Sequence, residues 1–439
     1  MSIDFSVVRY LPFILDGLKL TVILAVTTAC TTLVVGLFLA LGRLYGPRWL
    51  SLLITFYIDT MRAIPELVVL IWLFFSIPIL TGWSLPPFWA ALMALTVQVS
   101  AYAAEVFRAG LVSIRRGQTQ AGMTLGMSHP PDPDEDIAAA GGYPHAAEFR
   151  LVPDDDHQGY GDRIHHRRAG NDAQRRSRRP AVLPKRRGLY DGDVLLLLPA
   201  VSDDAAGRLH LSARGASGAV MNYDWSVLWT HRDEFISGVG VTIMLAVVTM
   251  VVAVPLGILL MAMRRSPYRI LSIPATIFVE LFRNVPLIML VFWAYYAIPR
   301  FVGYSMSNVT TGTLALILNI SAYNAENFRA GVNSIRRGQS EAGLAVGMSS
   351  WQVMRYIVLP QAIRRIIPVL ASTWVSLFKA TSLVSVIGVA DLAFVAMDVR
   401  GDTFRVLEVL TALALMYWIM AYPQAKLVDW LHKKYGRTE

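Results

Sequence analysis

The sequence predicts an all-α integral membrane protein, and three observations carry the prediction. Of the 439 residues 55% are hydrophobic, with mean hydropathy +0.48, above the usual apolar share of about 45–50%. Apolar runs recur at lengths near the ~20 residues that cross a bilayer as a helix. The chain also repeats itself. Ser100–Ser128 reads SAYAAEVFRAGLVSIRRGQTQAGMTLGMS, and Ser321–Ser349 reads SAYNAENFRAGVNSIRRGQSEAGLAVGMS, an offset of 221 residues. The offset also pairs Gly17 with Gly238, Arg62 with Arg283, Pro65 with Pro286 and Pro78 with Pro299. Two copies of one unit are joined head to tail, the second beginning at or next to Met221.

The second copy has five apolar runs, near 236–263, 271–298, 311–333, 366–390 and 404–425. The second of these is interrupted by Arg283-Asn284-Val285-Pro286. Pro286 removes a backbone donor, so membrane tolerance requires protein or water to cover the freed carbonyl. The first copy shows only the first three spans, near 18–41, 50–80 and 85–107. Basic residues follow the first span (Arg264, Arg265, Arg269), surround the loop after the third (Arg336, Arg337, Arg355, Arg364, Arg365) and follow the fifth (Lys433, Lys434, Arg437). The positive-inside rule therefore predicts N-out, C-in for the second copy. Arg43, Arg48, Arg115 and Arg116 occupy the matching places in the first. The net charge of +9 belongs to these flanks and points to membrane lipid, not nucleic acid. The lone cysteine, Cys30, excludes a disulfide framework or cysteine-based metal site. No charged leader with a cleavage site opens the chain, so no cleaved signal peptide is expected.

After the third span the second copy reads Glu341-Ala342-Gly343, three residues, Gly347, nine residues, Ile357, one residue, Leu359-Pro360. This resembles the EAA loop of ABC-importer permeases (E-A-A-x3-G-x9-I-x-L-P), with Gly for the third letter. The neighbouring FRAGVNSIRRGQSEAG and LPQAIRRIIP are similar to the polar amino-acid (His/Glu/Gln/Arg/opine) branch of that family. The resemblance covers 1–128 and 222–439 and implies two type I ABC-importer permease units in a bacterial inner membrane. The loop (Glu341, Ala342, Gly343, Gly347, Ile357, Leu359, Pro360) is then the docking site of a partner ATPase. Gln120, Ala121, Gly122 and Gly126 form a remnant of it in the first copy, with Gln120 where the second has Glu341. Gly343 and Gly347 are expected on one helical face, four residues apart, with Pro360 ending that helix.

The resemblance implies ATP bound on separate ATPase subunits and no cofactor on this chain, a periplasmic or tethered solute-binding protein, and a second permease unit forming a homo- or heterodimer. The chain has no G-x-x-x-x-G-K-[ST] phosphate loop and no convincing catalytic set, so a transport subunit, not an enzyme, is expected. Asn319, Tyr323, Asn324, Asn327 and Glu326 lie along the third span as candidate solute-pathway residues. Glu105 and Glu326 stand one helical turn from Arg108 and Arg329, and a structural ion pair is the favoured reading of each. A secondary transporter or channel, and an inactive chimera with only the second unit competent, remain open as alternatives.

Residues 129–220 break the pattern: they hold six of the eight histidines, and their longest apolar stretch is Val194–Val201. An inserted soluble domain and a basic tail are two readings of this segment. A shifted reading frame is the third, and the expected one, with the segment disordered. Ala138-Ala139-Ala140-Gly141 must be coded GCN GCN GCN GGN. Dropping one earlier base gives CNG CNG CNG GNG, which can encode Leu-Pro-Gln-Ala, and Leu359-Pro360-Gln361-Ala362 stands at that offset. The segment has 92 residues, and the second copy spends 90 on 350–439. The expected organisation is a truncated unit over 1–128, an out-of-frame segment over 129–220 and a complete unit over 221–439.

A topology conflict follows. Three spans leave the first copy in the cytoplasm, whereas the second needs its N-terminus outside.

Overall fold

The computed structural model describes residues 11–113 and 223–435. The remnant residues Gln120, Ala121, Gly122 and Gly126, and the segment 129–220, lie outside the described residues. Every regular element among the described residues is helical. In the first half, α1 (Leu11–Tyr45), α2 (Arg48–Ala63), α3 (Glu66–Thr81) and α4 (Pro87–Val112) follow one another. In the second, a short α5 (Ser226–Thr230) precedes α6 (Arg232–Arg264), α7 (Arg269–Asn284), α8 (Leu287–Phe292), a π turn (Trp293–Ala297), α9 (Ile298–Val302) and α10 (Asn308–Asn333). The bounds of α2, α3 and α4 reappear at the 221-residue offset as α7, α8–α9 and α10.

Beyond α10 the described residues of the second half continue. It has α11 (Arg337–Ala345), α12 (Ser350–Gln352), a π turn (Val353–Val358), α13 (Leu359–Ala380), a 3-10 turn (Thr381–Ile387), α14 (Leu392–Thr403) and α15 (Val406–Tyr435). Among the described residues five helices are long and apolar enough to cross a membrane: α1, α4, α6, the stretch Ser350–Ile387 and α15. Two bent pairs, α2–α3 at 107° and α7–α9 at 110°, pass the same criterion together. The sequence expectation of a span over 311–333 meets a difference. That stretch lies within α10, of the same 26 residues as α4, but too polar to qualify alone. Its asparagines and glutamate are turned to protein neighbours. A second difference is α14, twelve residues in a stretch without an assigned span. Asp391 caps it by accepting from Phe394 N at 2.9 Å, and Phe404 leaves it in the left-handed region at φ 57°.

Small residues set how closely the long helices approach. The buried side of α1 is one stripe, Leu24, Thr28, Thr32, Gly36, Ala40 and Leu44, the four-residue spacing of a single helix face. A Cβ on Gly36 would stand 2.6 Å from that of Ala103 in α4, and one on Gly257 in α6 would stand 2.7 Å from that of Asn324 in α10. The two helix pairs therefore close over the same glycine, as small-residue contacts do in membranes. The main core joins α6, α10, α13, α14 and α15, and takes in Ile64, Val68 and Val69 of the first half.

The break between α2 and α3, and its repeat between α7 and α8, is satisfied from the neighbouring helix. Pro286 has no N–H to offer the carbonyl of Phe282 four residues back. Asn319 Nδ2 donates to that carbonyl instead, at 2.8 Å, and Tyr323 Oη donates to the carbonyl of Arg283 at 3.3 Å. In the first half Gln98 Nε2 donates to the carbonyls of Ile64 at 2.8 Å and Met61 at 3.4 Å. Tyr102 Oη reaches the carbonyl of Arg62 at 3.4 Å. Protein thus provides the cover that the membrane requires.

Candidate coupling site

Between α10 and α13 the backbone folds into a compact elbow carrying the loop pattern. Here α11 spans Arg337–Ala345. It ends in a Schellman motif: Met348 N donates to Gly343 O at 3.1 Å, and Gly347 N to Leu344 O at 3.0 Å. Gly347 supplies the positive φ of 87° that this stop requires. Ser349 then opens the next helix with a capping box, its hydroxyl accepting from Gln352 N and its own N–H donating to Gln352 Oε1 at 2.8 Å. The arginines behind the elbow are tied in as well. Arg365 donates to Ser334 O at 2.8 Å, and Arg265 to Asn333 Oδ1 at 3.0 Å. A cavity of about 520 Å³ lies beside Arg265, lined also by Asn333, Arg337, Ser340 and Glu341 among others.

Two expectations are corrected. Gly343 and Gly347 do not share an outward face. Gly343 is buried, and a Cβ there would meet Ile357 Cδ1 at 2.7 Å and Val353 Cγ2 at 2.9 Å. Gly347 lies past the helix end, with nothing within 4 Å of a built Cβ. Helical spacing applies only while the helix continues, and the left-handed turn breaks it. Nor does Pro360 end α11. It sits at the start of α13, where the π turn Val353–Val358 runs on into that helix within the continuous stretch Ser350–Ile387. The glycine and isoleucine of the pattern instead hold the elbow together from inside. Glu341, Ala342, Leu344 (50% exposed), Ala345 and Val346 (79% exposed) face outward. Leu359 is exposed beside Pro360.

The third-span residues divide into groups. Asn319 and Tyr323 hold the helix break, as above. Asn327 Nδ2 donates to Thr373 Oγ1 at 3.0 Å, linking α10 to α13. Asn324 is fully buried against Gly257. Glu326 is ringed by three arginines: Arg264 at 3.1 Å, Arg283 at 3.7 Å and Arg329, whose Nε donates to Glu326 Oε2 at 3.0 Å. Glu105 has the same ring at the 221 offset: Arg43, Arg62 at 3.9 Å and Arg108 at 2.9 Å. Sequence spacing exposed only the nearest arginine of each set. The other two come from the ends of neighbouring helices, and the repeat itself was the signal that could have found them.

One residue escaped the sequence reading. Lys379, at the end of α13, donates to the carbonyl of Arg62 at 2.9 Å and to Tyr102 Oη at 2.8 Å. It therefore joins the second half to the helix break of the first.

Comparisons with known proteins bear on this arrangement. Residues 32–131 and 253–437 match the family described as "Binding-protein-dependent transport system inner membrane component", together more than half of the chain. The chain belongs to this family. It is a permease component of an ABC importer, a multi-pass protein of the bacterial inner membrane. The permease is 35% identical over 201 residues to the glutamine transport system permease protein GlnP of Escherichia coli K12, covering 46% of this chain and 92% of that one. It is 32% identical over 219 residues to the glutamate/aspartate import permease protein GltK of Escherichia coli O6:H1, covering 48% and 98%. A solved structure titled "Crystal structure of an amino acid ABC transporter with histidines" is 31% identical, covers 49% of this chain and 100% of its own, and superposes with a TM-score of 0.47. Nearly the whole of each relative fits within less than half of the permease. The first match to the family breaks off at residue 131, and the second runs on to 437.

Proposed function

We propose that the permease imports polar amino acids and that α11 is where a partner ATPase grips it. The observation that carries this is the division of labour in the elbow. Its motif glycine and isoleucine face inward and make α11 a rigid lever on α13, while Leu344, Ala345 and Val346 stand exposed. Force applied at that surface passes through Val353 and Ile357 into α13 and from there to Lys379. ATP and its hydrolysis belong to the partner; this chain supplies the lever and the path. A solute-binding protein delivers amino acid at the outer face, an assignment that rests on the family's description and on the names of the relatives. Nucleotide-driven closure favours one access state because the ATPase dimer binds the two states unequally. We assign Asn319 and Tyr323 to holding the broken span, and place the solute path along the axis between two permease units.

Replacing Ala345 or Val346 by cysteine, in a Cys30→Ser background, tests the docking. Oxidative crosslinking to cysteines on the partner ATPase is expected, in yields that change with ATP. Uptake that consumes ATP while no position on α11 ever crosslinks contradicts the assignment.

The segment 129–220 is, on this reading, a permease tail translated in a shifted frame, with 1–128 a truncated unit and 221–439 a complete one. The support is the codon agreement at 138–141 and the point at which the first family match ends. Resequencing the DNA around codon 130 tests it. An unchanged frame, with the encoded peptide recovered by mass spectrometry from the purified chain, refutes it as a present-day error.

A further inference from the structure

The cavity behind the elbow has walls of two kinds. One is a single face of α11: Arg337, Ser340 and Glu341 stand three and four residues apart, and all line it. The other is the frame formed by the inner ends of α6 and α10, where Arg265 donates to Asn333 Oδ1 at 3.0 Å. The floor is apolar. Val332, Ile335 and Val358 are buried there, the last on the π turn that leads into the tail of the second half, α13 to α15. The volume of about 520 Å³ falls within the roughly 300–1,000 Å³ of small-molecule sites. The basic flanks put the mouth in the cytoplasm.

The polar groups on the α11 wall are uncommitted. Among the described residues Arg337, Ser340 and Glu341 have no hydrogen-bond or ion-pair partner. Arg337 and Glu341 are one helical turn apart and still do not pair with each other. Glu326, by contrast, is ringed by three arginines. Nor does the lining belong to the plan that the two halves share. At the 221-residue offset Arg265 falls on Leu44, Asn333 on Val112 and Glu341 on Gln120, and only Arg337 meets its like in Arg116. The ring around Glu326 is repeated residue for residue around Glu105. Charges that the shared framework does not need, left unpaired at a cavity, are suited to a ligand.

We propose that this cavity is a cytoplasmic site for an acidic α-amino acid, and that its occupation holds α11 against the α6–α10 frame. The charges select the ligand class. Two guanidiniums and one carboxylate leave one positive charge over, which a ligand with two carboxylates and one ammonium balances. The arginines take the carboxylates through paired N–H donors. Glu341 takes the ammonium, Ser340 donates to a remaining carboxylate oxygen, and the ligand's methylenes lie on the Val332, Ile335 and Val358 floor. A bound molecule bridges the lever to the helices it moves against, so import slows as the amino acid accumulates inside. The effect requires tighter binding to the resting arrangement than to the driven one. This consequence rests on the reading of α11 as the ATPase lever; the site itself does not.

The test measures the site first without an ATPase. The purified full chain in phosphatidylcholine nanodiscs is titrated with radiolabelled L-glutamate, and saturable binding is expected. Glutarate lacks the ammonium and should bind at least about ten-fold more weakly, the loss of one bond to a charged group. That comparison needs no variant. Arg337→Gln should weaken glutamate by at least about ten-fold for the same reason, and Glu341→Gln should abolish the preference over glutarate. No saturable binding, equal affinity for glutarate, or full affinity in Arg337→Gln overturns the site; the last result would place the glutamate in the transport path. Phosphatidylethanolamine also pairs an anion with an ammonium, and adding it to the nanodiscs should leave the affinity unchanged. A marked loss would make the lipid headgroup the occupant and likewise overturns the proposal. The second arm adds the partner ATPase and a saturated solute-binding protein. Further glutamate should lower the stimulated ATP hydrolysis by at least about five-fold, the low end of allosteric couplings, and have no effect in Arg337→Gln. Equal inhibition in both chains, or none in either, overturns the hold on α11. Failure of the ATPase to associate at all would count against the docking reading alone, since the binding arm decides the site by itself.

Discussion

The two halves share a sequence block and a helix plan but differ in what covers them, and the helices α1 and α6 show the consequence. In α6 the face of Gly238 and Thr242 is pressed by the tail. A Cβ on Gly238 would stand 3.0 Å from Leu392 Cα, and Thr242 Oγ1 accepts from Leu392 N at 3.1 Å. In α1 the equivalent Gly17 has nothing within 4 Å, and Thr21 turns its hydroxyl back onto the Gly17 carbonyl at 2.9 Å. A glycine and a threonine suited to a close backbone approach thus persist where, among the described residues, no backbone approaches. The faces inherited by both halves, Gly36 on Ala103 and Gly257 on Asn324, are equally tight. Among the described residues, the difference lies in the tail that packs on α6.

Substitution at the paired glycines should give the largest contrast. Gly238→Leu forces a side chain against the backbone of α14 and is expected to destabilise the purified chain by about 1–3 kcal/mol, the usual cost of overpacking. Gly17→Leu should change stability by no more than about 0.5 kcal/mol, as at an open surface. Thermal unfolding in detergent with a fluorescence readout measures both. Equal losses would mean that something covers α1 as α14 covers α6.

Next in size is Lys379→Met. The lysine is half-buried and makes both of its hydrogen bonds across the halves, so its removal should cost about 1.5–3 kcal/mol, the range for bonds to a charged group. The loss should appear as separation of the halves, read as a reduced yield of the intrachain disulfide between Trp72→Cys and Thr411→Cys. An unchanged yield would indicate that the tail is docked by its other contacts alone.

Much of this was legible in the sequence, for reasons that the residues make plain. The offset of 221 aligned α2, α3 and α4 with their repeats because insertions never entered the membrane-spanning part. Pro65 and Pro286 marked the breaks because each closely follows a charged residue, Arg62 or Arg283, within an apolar run, whereas Pro78, Pro255, Pro368 and Pro423 lie inside helices that continue. What escaped was contact between distant parts. Lys379 meets Arg62 from 317 residues away, and no periodicity announces that. The inward turn of Gly343 was missed because a spacing of four reads as one face only within an unbroken helix, and Gly347 ends it. α14 escaped as a short helix lodged between two apolar runs, held by an aspartate cap rather than by a long pattern of its own.

The helix break offers a finer comparison. Asn319 and Gln98 do the same work at matching positions, but Asn319 covers one carbonyl and Gln98 two. Asn319→Leu should cost about 0.6–1.7 kcal/mol, the span measured for single interhelical hydrogen bonds in membranes. Gln98→Leu should lie nearer the top of that range. Chemical unfolding of the two variants side by side checks the order; a reversal would mean that water reaches the second-half break and replaces the lost donor.

The smallest effect is expected at Lys426. Its pair with Asp59 is short, but the lysine side chain is 46% exposed, and exposed ion pairs contribute about 0.2–1 kcal/mol, less in salt. Lys426→Ala should therefore lower stability by a few tenths of a kcal/mol at low ionic strength and by less at high. The same variant sharpens the comparison between the two acceptor faces. Asp59 lies within the chain, and Glu280 at the repeated position is paired with Arg264 at 3.3 Å, so a loss confined to single chains must be independent of protein concentration. A loss that grows on dilution of the permease into excess lipid would place the Lys426 partner on another copy.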